Sequence, residues 1–196
     1  AGTGSLSEFL RQAGAHLVTV EIDRELKPIL LERLVGYGDR VTLVIDDVLA
    51  GKHGLSAKVL DVLKRHGGSF KLVGNLPYNV ASPLIANLVC DQPQMTHAIV
   101  MVQREVADRL TASPASKAYG AIGILIQAMC EVKRIMTLNP SCFWPKPRVQ
   151  SSVVVLRRRA QPLTDDPHAL ARTLQQLFQK RRKQIRNILG RDPHLL

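Results

Sequence analysis

The chain has 196 residues, 45% of them hydrophobic, and a formal net charge of +11. This length fits one domain, or one domain with part of a second, and the apolar content excludes a wholly disordered chain. No apolar run approaches the roughly 18–20 residues that span a bilayer, so we expect no membrane segment. The cysteines, Cys90, Cys130 and Cys142, are scattered. This scatter argues against a disulfide framework or a zinc site and fits a protein of the reducing cytoplasm. No histidine has the spacing of a metal ligand, so we expect no metal.

The positive charge lies in the second half of the chain. Residues 1–100 contain 10 Lys or Arg and 10 Asp or Glu, whereas residues 101–196 contain 17 and 6, which leaves the whole excess of +11 there. Clustered cations release counterions from a phosphate backbone, so this asymmetry favours a nucleic-acid partner. The alternative is a basic protein whose charged surface is only solvated.

Apolar spacing and turn residues predict helices and strands that alternate along the chain. In chain order we predict a helix over 5–14, a strand over 16–22, a helix over 24–35, a strand over 41–45, a helix over 55–66, a strand over 70–73, a helix from Ser82-Pro83 to about residue 90, a strand over 96–103, helices over 104–110 and 121–130, strands over 132–138 and 149–158, and a helix over 165–189. The alternation is typical of an α/β, Rossmann-like parallel sheet. The short Pro-rich connection between the last two strands predicts a final antiparallel hairpin. We therefore expect an α/β domain over 1–160 and the start of a small helical domain over 161–196.

Two segments predict a nucleoside-binding edge of the sheet. A glycine-rich turn with Gly2 and Gly4 precedes the first helix, and Glu21 ends the strand that follows, where a carboxylate suits a ribose diol. Asp46 and Asp47 end the next strand, where a carboxylate could accept a hydrogen bond from an adenine amino group. The pattern fits a dinucleotide or a nucleoside equally, and the acids could instead be surface or helix-capping residues.

Asn75-Leu76-Pro77-Tyr78 follows the third predicted strand directly. The Asn side-chain oxygen and a nearby backbone carbonyl can both accept hydrogen bonds from an exocyclic amine, and the Tyr ring can stack on a base. Proline stiffens the loop and removes a competing N–H donor. The alternative is an Asn-x-Pro turn whose tyrosine covers the core.

Two further segments predict contacts with RNA. The loop over 143–149 (FWPKPRV) combines aromatic residues with Lys146 and Arg148, which suits base stacking and phosphate contacts, although Trp144 could equally pack inside. The basic run over 180–183 contains Arg181, Arg182 and Lys183, and Arg157-Arg158-Arg159 forms a second cluster. The alternative for the run is a solvated helix face.

Together these segments resemble the ribosomal RNA adenine N6-dimethyltransferase family, whose bacterial members are the KsgA-type enzymes. The matching stretches are AGTGSLSEFL, VTVEID, DDVL, GNLPYNVASPLI, MVQREVADRL, SKAYGAIGILIQ, FWPKPRVQSSVVVL and KRRKQIRNIL. NLPYN together with the FxPxPxV loop is the most specific part. The leucine of NLPY favours the small-subunit enzymes over the similar erythromycin-resistance methylases, which typically have NIPY.

The resemblance implies a Rossmann-like methyltransferase domain, a C-terminal helical domain and S-adenosyl-L-methionine as methyl donor. The implied substrate is two adjacent adenosines in the 3′-terminal hairpin loop of 16S rRNA in the 30S subunit. Carried over by position, the cofactor would contact Gly2, Gly4, Glu21, Ile22, Asp47, Val48 and Asn75. The target base would contact Asn75, Leu76, Pro77, Tyr78 and Phe143. We expect a monomer.

The chain departs from the family pattern at both ends. The family's loop begins with an acidic residue and a glycine just before the position of Ala1, and the strand leading into that loop is central to the sheet. We therefore expect residues upstream of Ala1 and a longer C-terminal domain. The alternatives are a 23S rRNA adenine methylase of the erythromycin-resistance type, a non-catalytic RNA-binding or transcription factor derived from the family, and a nicotinamide dehydrogenase that uses the same glycine loop.

Overall fold

The computed structural model describes residues 1–34, 38–51, 54–180, 183–185 and 188. Its strands are β1 (Leu17–Glu21), β2 (Val41–Ile45), β3 (Phe70–Asn75), β4 (Met95–Gln103), β5 (Cys130–Leu138) and β6 (Ser151–Arg158). Its helices are α1 (Ser5–Gln12), α2 (Lys27–Leu34), α3 (Ala57–His66), α4 (Tyr78–Asp91), α5 (Arg104–Leu110), α6 (Ala121–Met129) and α7 (Pro167–Gln179). Within these residues, the predicted alternation of helices and strands is confirmed.

The strand pairing gives a Rossmann-like α/β fold with a mixed sheet. β1 pairs in parallel with β2, and β3 pairs in parallel with β4. β6 then runs antiparallel to both β4 and β5, so the four-stranded part has the order β3-β4-β6-β5. The predicted fold class and the final antiparallel hairpin are therefore confirmed.

The strands form two separate hydrogen-bonded groups, one of which contains β1 and the other β3. Among the described residues, β1 pairs with β2, β3 pairs with β4, and no hydrogen-bonded pairing links the two groups. Both groups nevertheless share one hydrophobic core, in which Val20 of β1 and Val44 of β2 belong to the same cluster as Leu72 of β3. A central strand upstream of Ala1, expected from the family pattern, stays a prediction.

The core lies between the four-stranded part of the sheet and helices α4, α5 and α6. Ile85, Leu110 and Ile126, one from each helix, are fully buried, as is Leu156 of β6. Apolar residues on one face of each helix thus set how closely these helices approach the strands that lead to the site.

Helix α4 is longer than the sequence predicts. Ser82-Pro83 predicted its start, but the helix begins at Tyr78 and contains Pro83 in its interior, so this prediction was wrong. The carbonyl of Pro77 accepts the first hydrogen bonds of the helix, from Val80 and Ala81. The helix buries five apolar side chains, and we infer that this burial offsets the one hydrogen bond that Pro83 cannot donate.

Helix α7 is shorter than the predicted helix over 165–189. Asp166 caps its start by accepting a 2.8 Å hydrogen bond from the N–H of Ala169. It ends at Gln179, so Lys180 and Lys183 lie beyond it. The ring of Phe178 packs edge-on against Tyr119, with 6.2 Å between centroids, so α7 lies against the α/β core. No helix in the described part of the chain is long and apolar enough to cross a membrane.

Candidate active site

The glycine-rich turn and Glu21 form one hydrogen-bonded unit at the carboxyl end of β1. Glu21 is buried, and its Oε2 accepts hydrogen bonds of 2.7 Å from the backbone nitrogens of Ala1 and Gly2. Its Oε1 accepts a third hydrogen bond, of 2.9 Å, from the N–H of Asp23. Burial by itself would raise the pKa of Glu21, but the hydrogen bonds from Ala1, Gly2 and Asp23 outweigh burial and lower the pKa below its ordinary value. The carboxylate is therefore ionised at neutral pH.

Gly4 is the position in the turn that requires glycine. Its φ is +87°, and a Cβ at this position would lie 2.9 Å from the side chain of Leu30 on α2. Gly2 also has a positive φ, of +58°, but open space surrounds it. The turn is thus held close to α2 at Gly4 and open at Gly2. This arrangement agrees with the predicted cofactor loop, whose contacts stay a prediction.

The ends of β1 and β2 meet, as the parallel pairing predicts. The N–H of Asp46 donates a 2.9 Å hydrogen bond to the carbonyl of Glu21. Asp47 is exposed, and its Oδ1 accepts a hydrogen bond from the N–H two residues later. Val48 packs against the core, whereas Ile22 is 65% exposed beside Glu21. This edge therefore combines an ionised buried carboxylate, an exposed one and an exposed apolar side chain.

The segment from Asn75 to Tyr78 is anchored at the carboxyl end of β3. Asn75 is exposed at the strand end, and the N–H of the buried Leu76 donates a 3.0 Å hydrogen bond to the carbonyl of Met101 on β4. Pro77 occupies the N-cap position of α4. Tyr78 opens that helix and is 48% exposed. The tyrosine thus does not cover the core, and its ring is accessible beside Asn75.

The loop between β5 and β6 leaves the sheet at this same edge. Asn75 pairs with Met101, and two residues further along β4 Gln103 pairs with Ser151, the first residue of β6. Neighbouring strands lie about 4.8 Å apart, so the loop begins about two strand spacings from the end of β3. Phe143 in this loop is half-buried. The topology therefore brings the loop to the edge of the sheet that carries Asn75.

The loop presents its other aromatic residue and its cations to solvent. Trp144 is 96% exposed, which removes the alternative that it packs inside. Lys146 and Arg148 are also exposed, as is Lys183 beyond α7. Arg181 and Arg182, predicted to contact RNA with Lys183, lie outside the described residues.

An open depression at the end of β4, lined mainly by charged and amide side chains, is a feature that the sequence did not predict. It has a volume of about 390 Å³, and its walls are formed by Gln103, Arg104, Glu105, Asp108, Val149 and Gln150. Arg104 crosses from α5 to the loop, where its Nη1 donates a 2.6 Å hydrogen bond to Oε1 of Gln150. The charged residues that follow β4 in MVQREVADRL were a signal for this site, although sequence alone could not pair them with residue 150.

The cluster Arg157-Arg158-Arg159 is partly structural. Arg158 donates hydrogen bonds to the carbonyls of Leu88, Val89, Gln92 and Met95, and so covers the end of α4. Arg159 donates to the carbonyl of Gln127 on α6. Two of these three cations therefore hold helices to the sheet.

The described titratable side chains form no metal-binding cluster, and two of the three thiols are partly or fully buried. Among the described residues, no group of three or more His, Cys, Asp or Glu side chains could hold a metal ion. Burial, followed by the charge of Asp91, raises the pKa of Cys90 to about 11, and burial also raises the pKa of Cys130. Both thiols are therefore protonated at neutral pH and are poor nucleophiles.

A sequence profile described as "Ribosomal RNA adenine dimethylase" matches residues 1–194. The chain belongs to this family. It is 37% identical over 190 residues to the ribosomal RNA small subunit methyltransferase A of Acidobacterium capsulatum, and 35% identical over 189 residues to that of Thermotoga maritima. Each alignment covers 96% of the chain but only 64% and 62% of these relatives, so the chain spans less than two thirds of their length.

Two solved methyltransferase structures share the fold. A dimethyladenosine transferase from Plasmodium falciparum superposes with a TM-score of 0.75 at 25% identity, covering 99% of this chain and 66% of that one. The 23S rRNA methyltransferase ErmE superposes with a TM-score of 0.71 at 25% identity, covering 97% of this chain and 72% of that one. Both likenesses extend over nearly the whole chain, which places the described sheet within the family's Rossmann-like architecture.

Proposed function

We propose that this chain is the methyltransferase part of an rRNA adenine N6,N6-dimethyltransferase that uses S-adenosyl-L-methionine. The proposed substrate is the pair of adjacent adenosines in the 3′-terminal hairpin loop of 16S rRNA in the 30S subunit. One observation carries the proposal: exposed Asn75, anchored Leu76 and accessible Tyr78 stand together at a strand end. Small-subunit methyltransferases from several bacteria, at 35–37% identity, support the choice of substrate. We expect the protein to act as a monomer in the cytoplasm, without a metal.

The edge formed by β1 and β2 fits the proposed cofactor. The ionised carboxylate of Glu21 would accept hydrogen bonds from ribose hydroxyls, and exposed Ile22 would pack on the adenine ring. Exposed Asp47 would accept a hydrogen bond from the adenine amine, with Val48 beside it. When bound, the cofactor would supply an electrophilic methyl group from its sulfonium sulfur, which would leave as a neutral thioether, and the methylated amine would lose one proton to water.

The Asn75 segment would position the adenosine amine. Its N6 is a poor nucleophile because the lone pair is delocalised into the ring. If the side-chain oxygen of Asn75 and the carbonyl of Leu76 each accept one N–H bond, the nitrogen becomes more tetrahedral and its lone pair is exposed. Tyr78 and Phe143 would hold the base by stacking. Rate enhancement would then come from positioning and electrostatics, with no general base.

Replacing Glu21 with glutamine is expected to weaken S-adenosyl-L-methionine binding about tenfold to a hundredfold. A hydrogen bond to a charged group contributes about 1.5–3 kcal/mol, and the substitution removes that charge while it keeps the shape. Isothermal titration calorimetry on the purified chain measures the change in affinity.

Glu25→Gln is the matched control, because this exposed side chain lies just beyond the site, and it should bind the cofactor like the wild type. A thermal melt of each variant without cofactor separates lost affinity from lost folding. An unchanged dissociation constant in folded Glu21→Gln would contradict the ribose role.

The double variant Lys146→Gln/Arg148→Gln is expected to flatten the salt dependence of RNA binding. Each phosphate contact that is lost from single-stranded RNA lowers the slope of log K against log salt by roughly 0.7, so losing both lowers it by about 1.4. Lys71→Gln is the control, because this exposed lysine lies near the amino end of β3. Binding of a loop-containing RNA at several salt concentrations measures the slope, and equal slopes would exclude both residues from the RNA surface.

Methyl transfer to two substrates tests the proposed function. We expect transfer of labelled methyl groups to unmethylated 30S particles and none to protein-free 23S rRNA. The likeness to ErmE makes a 23S rRNA methylase the second candidate, which the opposite result would favour. Binding to 30S particles without transfer, in a chain that also binds the cofactor, would favour a non-catalytic RNA-binding protein.

A further inference from the structure

Trp144 is a large apolar side chain for which the proposed chemistry gives no role. It is the single tryptophan of the chain, and 96% of its surface is exposed. An indole that stays in water gains almost none of the free energy that burial would give, so the fold does not need it. A flat aromatic face held in solvent is instead typical of a surface that binds a ligand.

The position of the loop places this indole on the proposed RNA side of the protein. The loop connects β5 to β6, and β6 begins opposite Gln103 at the carboxyl end of β4. The open depression at the end of β4 has Val149 and Gln150 of the same loop in its wall. The protein surface is therefore concave between the end of this loop and α5, and Asn75 lies at the same edge of the sheet, on the strand beside β4.

The charge around Trp144 suits a polyanion. Residues 139–150 contain no Asp or Glu, and the exposed cations Lys146 and Arg148 follow the indole by two and four residues. An aromatic platform flanked by cations is the combination that binds single-stranded nucleic acid, because the ring stacks on a base while the cations contact the phosphates. An uncharged apolar partner would gain nothing from these cations.

We propose that Trp144 stacks on the base of a nucleotide that neighbours the target adenosine in the RNA loop. The inference rests on the proposed function, because it takes the occupant of the Asn75 site to be an adenosine within a longer RNA. Stacking would fix the path of the RNA strand beyond β4, on the side away from β3. It would thereby help to hold the target base at Asn75. The indole would then be a positioning residue, since it does not touch the reacting atoms.

Because Trp144 is the single tryptophan, its emission reports its own environment. The probe is a hairpin RNA whose loop carries two adjacent adenosines, and it should quench the emission of the wild-type chain in a saturable way. A fully paired RNA of equal length should not. The same hairpin with abasic nucleotides on both sides of the adenosines should bind more weakly, by fluorescence anisotropy of a labelled RNA, and should leave the emission unchanged.

Substitutions test the stacking without relying on the signal of Trp144. Trp144→Ala should weaken binding of the hairpin about five- to a hundredfold, which corresponds to one stacked base, whereas Trp144→Phe should stay within about threefold of the wild type. Phe9→Ala on α1 is the control, because Phe9 is 71% exposed and lies outside the site, and it should bind normally. Unchanged emission on RNA binding, or equal affinity of Trp144→Ala, overturns the proposal.

An assay of methyl transfer to 30S particles separates failure of this inference from failure of the proposed function. We expect Trp144→Ala to raise KM with little change in kcat, since stacking would stabilise the bound substrate and the transition state alike. If the wild-type chain methylates 30S particles but its tryptophan emission does not change when RNA binds, the Trp144 proposal alone is overturned. A chain whose emission is quenched by the hairpin but that transfers no methyl group overturns the proposed function alone.

Discussion

Replacing Asn75 with alanine is expected to lower methyl transfer by about 10²–10³-fold, the usual loss when one positioned hydrogen-bond partner is removed. The side-chain oxygen would accept a hydrogen bond from the target amine, and without it the N6 lone pair stays delocalised. Because Glu21 and Asp47 would hold most of the cofactor, its affinity should change little. Single-turnover transfer to 30S particles measures the rate, and calorimetry measures cofactor binding.

Gln94→Ala is the matched control for this prediction. Gln94 also carries an exposed carboxamide, but it directly precedes Met95 at the amino end of β4, the edge of the sheet opposite Asn75. It should transfer methyl groups at the wild-type rate. If the folded Asn75→Ala variant keeps more than about a third of the wild-type rate, Asn75 does not hold the target amine. The rate would then fall far less than it does when a positioned hydrogen-bond acceptor is lost.

Replacing Gly123 with alanine is expected to destabilise the fold by about 3 kcal/mol, the upper end of the usual cost of overpacking. A Cβ at this position of α6 would overlap the carbonyl oxygen of Arg109, which lies in the last turn of α5. The clash is with backbone, so relief requires one helix to move. A shift of this size lowers the melting midpoint by roughly 10 °C in a chain of this length, which a thermal melt detects.

Gly120→Ala is the control for this clash. Gly120 precedes the same helix with an extended backbone, and a Cβ there would lie 3.8 Å from its nearest neighbour, the carbonyl oxygen of Ala118. We expect its stability to stay within about 1 kcal/mol of the wild type, since only an N-cap preference changes. Equal melting midpoints for the two variants would show that α5 and α6 can separate freely.

Local sequence patterns predicted the bounds of those helices and strands in which every local feature favours the same structure. Val41–Ile45 is β-branched and bounded by turns, and Arg104–Leu110 has helical spacing, so both appear at the predicted bounds. The start of α4 could not be read in this way. Ser82-Pro83 has the local form of a helix start, but burial of the residues around it extends the helix back to Tyr78.

The site residues also divide into those that local sequence places and those that only tertiary contacts place. Strand-end positions follow from periodicity, so the sequence alone places Glu21, Asp47 and Asn75 at the carboxyl edge of the sheet. The exposure of Trp144 could not be predicted in this way, because burial of a loop residue depends on contacts distant in sequence. The same holds for Arg104, whose partner Gln150 is 46 residues away.

Local spacing and residue chemistry were therefore enough for the α/β class, the antiparallel end of the sheet and the resemblance to rRNA adenine dimethylases, since each depends on short runs of sequence. Only the tertiary structure decided which cations face solvent. Arg158 and Lys146 are both strongly basic, yet the first donates to four carbonyls around the end of α4 and the second is exposed. The physical reason is that charge is a property of a residue, whereas its partner is set by the packing of segments that lie far apart in the chain.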